Sequence, residues 1–265
     1  MVAAGNDFVV IGPLRNSREF GSLRWLSQKA CDRKYGIGAD GLLLVGKSKV
    51  ADVRMRIFNA DGSEAEMCGN GARCVALYIS RQPSAVSRQL KIETRAGIID
   101  SYVNNCNVKI KLTDPRLLKL DIPLKVNSHS LKVNFINTGV PHCVIFVEGL
   151  DKIGVTDLGR QIRYHKQFLP FGTNVDFIEM INNNSLKIRT YERGVEDETL
   201  ACGTGSVASA LVCARKLGLT GSNKINVLTK SGDKLKIYFK DCRDGFRNVW
   251  LEGSAEIVYK GAYYV

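Results

Sequence analysis

Cys68-Gly69-Asn70-Gly71 and Cys202-Gly203-Thr204-Gly205 each set a thiol before two glycines, where an apolar run reads as a helix start. A glycine turn that opens a helix offers N–H groups without intrahelical acceptors and a partial positive charge, so it suits an anion. The same surroundings favour a thiolate and bring a cysteine toward neutral pKa. Two such turns in one chain fit two thiols acting on one amino-acid substrate from opposite sides. One removes the α-proton as a thiolate while the other, as a thiol, protonates the opposite face. Backbone N–H groups of Gly69, Asn70, Gly203 and Thr204 are expected at the carboxylate, where enediolate charge develops. By analogy with oxyanion holes, each donor is worth about 3 kcal/mol. This chemistry does without the electron sink that pyridoxal phosphate supplies elsewhere. No cofactor is expected, and no metal, since there is no Cys-x-x-Cys pair and there are 3 histidines.

The elements that position these turns are duplicated. At an offset of about 134, Gly5-Asn6-Asp7-Phe8 matches Gly139-Val140-Pro141-His142, and Arg56-Ile57-Phe58-Asn59 matches Arg189-Thr190-Tyr191-Glu192. Thr94-Arg95-Ala96-Gly97 matches Thr229-Lys230-Ser231-Gly232, and Tyr35-Gly36 with Asp40 is paired with Phe171-Gly172 and Asp176. Ordered anchors at a nearly constant offset mean two related domains, because solenoid repeats are far shorter. The halves are set at residues 1–114, carrying Cys68, and 115–265, carrying Cys202, with the last strand able to return to the first half.

Apolar and β-branched alternation predicts strands at residues 8–11, 41–45, 53–59, 90–94, 98–103 and 108–111. In the second half it predicts 142–147, 175–180, 185–191, 225–229, 234–239 and 249–252. Helices are predicted at 19–29, 71–80, 155–164 and 206–217. The helices after Cys68 and Cys202 are apolar on most faces and hence buried. The fold class is therefore α+β, each half a curved, barrel-like sheet around a central helix, with the site in the cleft between them. The polar stretch at 114–123 is read as the junction. Cys31, Cys74, Cys106, Cys143, Cys213 and Cys242 are read as buried apolar residues.

A hydrophobic content of 45% and a charged content of 24% are those of a soluble globular chain. No apolar run is long enough to span a bilayer, and no cleavable leader pattern opens the sequence. Scattered cysteines point to a reducing cytoplasm. The net charge of +12 is spread without runs of like charge, which reads as a basic solvated surface that attracts small anions, with neither nucleic acid nor membrane as a partner. A basic nucleic-acid-binding module is the alternative of another class.

These motifs, with Gly36-Ile37-Gly38-Ala39-Asp40-Gly41, Phe58-Asn59-Ala60-Asp61-Gly62-Ser63, Gly172-Thr173-Asn174-Val175-Asp176, Glu192-Arg193-Gly194 and Ala201-Cys202, resemble the diaminopimelate epimerase family. The resemblance implies cofactor-independent epimerisation of LL-2,6-diaminoheptanedioate to the meso form, in lysine and peptidoglycan precursor synthesis, by a homodimer. It implies Cys68 and Cys202 as acid and base, and Asn59, Asn174, Glu192 and Arg193 at the distal end of the substrate. A guanidinium can hold a carboxylate there bidentately and a carboxylate can pair an ammonium. Asn6 and Asn70 fall near the reacting end by the same resemblance, and His142 either orders its loop or touches the site. Two departures stand out. Val140 replaces the family's usual asparagine, which keeps a racemase of another amino acid open, and the usual lysine-methionine-histidine-glycine opening is missing before Gly5.

Overall fold

A computed structural model describes residues 1–14, 22–83, 87–127 and 129–264. The chain divides into two compact units, Met1–Lys111 with Glu252–Val265, and Leu112–Leu251. The division falls three residues before the 114/115 boundary read from the sequence, and the C-terminal segment groups with the first unit.

The first unit runs β1 (Val2–Ala3), β2 (Asn6–Leu14), α1 (Leu23–Cys31), β3 (Gly41–Gly46), β4 (Val53–Asn59), β5 (Glu64–Ala65), α2 (Gly69–Ser80), β6 (Gln89–Thr94), β7 (Gly97–Asn104) and β8 (Asn107–Lys111). The start of the helix predicted at 19–29 lies partly outside the described residues; the helix seen is capped by Ser22, whose side chain accepts from Trp25 N–H. β2 and β3 are parallel, β3 and β4 antiparallel, β4 and β6 parallel, and β6, β7 and β8 continue antiparallel. Helix α2 touches β1, β2, β3, β4, β6, β7 and β8, so the sheet wraps it. Its Ala72, Cys74, Val75 and Ala76 are fully buried, as a helix apolar all round requires.

The second unit runs β9 (Arg116–Val126), β10 (His129–Asn137), β11 (Pro141–Phe146), α3 (Val155–Arg163), β12 (Asn174–Asn182), β13 (Ser185–Glu192), β14 (Asp197–Thr199), α4 (Gly203–Lys216), β15 (Gly221–Leu228), β16 (Lys234–Cys242) and β17 (Gly245–Ser254). Residues 252–254 of β17 belong to the first unit. The order of the first unit recurs: β11 and β12 parallel, β12 and β13 antiparallel, β13 and β15 parallel, β15 and β16 antiparallel. Helix α4 touches β10, β11, β12, β13, β15 and β16. Both units are thus α+β, a curved sheet about one helix.

Two sequence expectations need correction. The stretch read as a junction is β9, paired antiparallel with β10. Leu118, Leu120, Ile122, Leu124 and Val126 alternate inward, while Pro123 sits at an exposed position of the strand. The register also revises the internal alignment. Phe8 faces Gly41 and Gly41 faces Asn59; His142 faces Asn174, and Val175 faces Tyr191. Gly41 therefore corresponds to Asn174, and the counterpart of Asp176 is Leu43, not Asp40.

Candidate active site

Cys68 and Cys202 are each the N-cap residue of the central helix of their unit, in extended backbone conformation. In the first unit Cys68 is half-buried, and its Sγ accepts from Gly71 N–H at 3.4 Å. Asn70, the second helix residue, is buried and donates from Nδ2 to Asn6 Oδ1. Its Oδ1 accepts from Arg73 Nη2 at 2.9 Å, and Asn6 Nδ2 donates to Asp40 Oδ2 at 3.0 Å. An amide chain therefore fixes the turn beside Cys68. Asn59, at the exposed end of β4, is tied back through Nδ2 to Ser63 Oγ at 2.9 Å. At the helix start, a Cβ on Gly71 would meet Leu43 Cδ2 at 3.0 Å.

The second unit keeps the frame and changes the chemistry. His142 and Asp176, both 0% exposed, replace Phe8 and Leu43 of the first unit. Asp176 Oδ2 lies 2.7 Å from His142 Nδ1, and His142 Nε2 lies 3.0 Å from Thr204 Oγ1. Thr204 Oγ1 in turn lies 3.5 Å from Cys202 Sγ. Thr190 Oγ1 donates to Asp176 Oδ1 at 2.8 Å, completing the carboxylate's partners. Gly205 is required here, since a Cβ would overlap Asp176 Oδ1.

Sequence reasoning expected both thiols to move toward neutrality. For Cys202 the structure reverses this: burial, then the nearby Glu192 and Asp176 carboxylates, push the thiol well above its ordinary range. A helix end contributes on the order of 0.3–1 kcal/mol, and the loss of hydration of a thiolate held away from water opposes it. Burial wins, and Cys202 rests as a thiol. Cys74 is fully buried and pushed up to about 12, Cys213 up to about 11, and Cys143 well upward, chiefly by burial. Cys106 is exposed and Cys242 half-buried, so for these two the expectation of burial fails.

The four residues assigned to the far end of the substrate divide between the units. Asn174, Glu192 and Arg193 lie together, Asn59 in the first unit. Asn174 Nδ2 donates to Pro141 O at 2.9 Å and its Oδ1 accepts from Arg193 N–H at 2.8 Å. The Arg193 guanidinium is anchored by one Nη1 bond to Phe171 O at 3.2 Å. Glu192 is raised from the usual carboxylate range, chiefly by burial. Asp176 and Thr190 went unassigned in the sequence; the signal was an acidic residue inside the apolar run 175–178.

The fold is one shared by solved structures. A phenazine biosynthesis protein of the PhzF family from Bacillus anthracis superposes with a TM-score of 0.74 at 18% identity, over 96% of this chain and 92% of that one. A hydroxyproline epimerase from Agrobacterium vitis gives 0.69 at 15% identity, over 96% and 87%. Sequence narrows the class. The family model described as diaminopimelate epimerase matches residues 1–118 and 134–258. The diaminopimelate epimerase of Aquifex aeolicus is 43% identical over 97% of this chain and 94% of that protein, and the one from Archaeoglobus fulgidus 42% over 97% and 92%. This chain belongs to the diaminopimelate epimerase family.

Proposed function

We propose that this chain interconverts LL- and meso-2,6-diaminoheptanedioate by proton transfer between Cys68, Cys202 and a single α-carbon, without a cofactor. Family membership supports the reaction, and one structural observation supports the mechanism: a cysteine caps the central helix of each unit at matched positions. Backbone N–H groups of Gly69, Asn70, Gly203 and Thr204, at helix starts where no intrahelical acceptor exists, take the reacting carboxylate. Glu192 pairs with the distal ammonium and Arg193 with the distal carboxylate, with Asn59 and Asn174 beside them.

In one direction Cys68 abstracts and the Cys202 thiol donates. In the other Cys202 must first lose its proton, and the second unit supplies a route. With Asp176 accepting from His142 Nδ1–H, Nε2 accepts from the Thr204 hydroxyl, which accepts from the Cys202 S–H. A proton leaving Sγ passes to Thr204 as the hydroxyl proton moves to Nε2, giving an imidazolium held by Asp176. The first unit, with Phe8, Leu43 and Asn70 at the matching positions, has no counterpart among the described residues.

Incubation with the LL-isomer in deuterated water is expected to introduce deuterium at the α-position and to generate the meso form; exchange at background would refute the reading. Val140 favours one variation, a racemase for an amino acid with a different distal end, and comparing diaminopimelate with glutamate, histidine and proline decides between them. We further assign the enzyme to the reducing cytoplasm, consistent with eight free thiols, and to a homodimer. If the two thiols share one carbon, oxidation of the empty enzyme yields a Cys68–Cys202 disulfide and reversible loss of activity. Peptide mapping that finds full activity after oxidation, or never finds that bridge, counts against it.

A further inference from the structure

Each cysteine turn is entered through a glutamate gripped by two cations. Glu64, four residues before Cys68, takes Arg56 Nε on Oε1 at 2.8 Å and Nη2 on Oε2 at 2.9 Å, with Arg95 Nη1 at 3.7 Å from Oε2. Glu198, four residues before Cys202, takes Arg189 Nε on Oε1 at 2.7 Å and Nη2 on Oε2 at 2.9 Å, with Lys230 Nζ at 2.8 Å from Oε2. The registers agree as well. Glu64 stands opposite Phe58, two residues after Arg56; Glu198 stands opposite Tyr191, two residues after Arg189. In both units the outer cation comes from the turn after the strand that runs parallel to the arginine's own strand.

Partly exposed ion pairs contribute about 0–1 kcal/mol to stability, which gives little reason for one atomic arrangement to appear twice. Position gives a better one. β5 and β14 are the short strands that deliver the chain to each thiol, and β4 and β13 end in Asn59 and Glu192. Each glutamate therefore locks a cysteine turn to the strand that carries a ligand for the far end of the substrate. The charges that shift Cys202 are those of Glu192 and Asp176, so the clamp works through geometry.

We propose that Glu64 and Glu198 are positioning residues, one for each thiol, which hold Cys68 and Cys202 in register with the substrate. The proposal rests on the two-thiol reading above. The test is Glu64→Gln and Glu198→Gln in the full chain, assayed in deuterated water from the LL- and from the meso-isomer, with chiral separation of products. Since a misplacement near 1 Å can cost about 100-fold, kcat is expected to fall about 10- to 100-fold with KM little changed. A misplaced donor lengthens the life of the carbanion, so deuterium returned to the original face rises relative to inversion. Glu64→Gln should raise it from the isomer whose α-proton faces Cys202, and Glu198→Gln from the other isomer. Wild-type kcat and partition, or a rise from the same isomer in both variants, overturns the proposal. If either variant loses its fold by circular dichroism, Arg95→Gln and Lys230→Gln replace the outer, more exposed arms and must show the same crossed pattern in weaker form. An inactive wild-type chain takes down the two-thiol reading and the clamp together, and is seen before any substitution is made.

Discussion

Asp176 and Leu43 occupy the same place in two copies of one frame, as do His142 and Phe8, and these differences separate the surroundings of Cys202 from those of Cys68. In the proposed mechanism the line from buried Asp176 and His142 to half-buried Thr204 serves to deprotonate a thiol that its surroundings hold in the protonated form. Replacing Glu192 with glutamine removes one of the two carboxylates that raise Cys202. With less negative charge nearby the thiolate costs less, so iodoacetamide should label the Cys202 peptide at lower pH than in the parent. An unchanged or higher labelling pH would contradict that assignment. Cys68→Ala and Cys202→Ala should each lower epimerisation by about 100- to 10,000-fold, the span of general acid–base catalysis. The place of both cysteines at a helix start was legible in the sequence because the glycine turn carries a local signature. The line of Asp176, His142 and Thr204 was not, since β11 and β12 are distant in sequence and meet through parallel pairing, and the repeat set Asp176 against Asp40.

Helix starts show what the frame tolerates. Gly71 and Gly205 are matched, yet a methyl group at Gly71 meets a leucine methyl that can turn aside. At Gly205 it meets a carboxylate pinned by His142 and Thr190. Overpacking typically costs about 1–3 kcal/mol, so Gly205→Ala should lower the urea midpoint and depress kcat, with Gly71→Ala the milder of the two on both counts. Equal effects would mean that Asp176 moves freely. Most strands were legible because their alternation is clean, and β4 was bounded correctly at both ends. β9 was missed although its inward leucines alternate, because Pro123 and the neighbouring charges mimic a loop. A proline at an exposed strand position costs little.

Across the whole chain, titration and connectivity carry consequences of their own. Cys74 pushed up to about 12 and Cys213 up to about 11 bind protons in the fold that an unfolded chain releases near about 8.5. Unfolding is therefore favoured as pH climbs through that window, by up to about 1.36 kcal/mol per pH unit per thiol. Urea midpoints measured from pH 8 upward should fall, and fall less steeply in Cys74→Ala; parallel curves would refute the assignment. Duplication was readable from the ordered anchors, and the return of the last segment to the first half was anticipated with it; in the structure Val2 and Glu256 secure that return by exchanging backbone hydrogen bonds at 3.0 and 2.9 Å. That bridge governs the order in which a nascent chain can mature. The second unit is one uninterrupted stretch and is finished once Leu251 leaves the ribosome, while the unit translated first still waits for Glu252 and the residues that follow it.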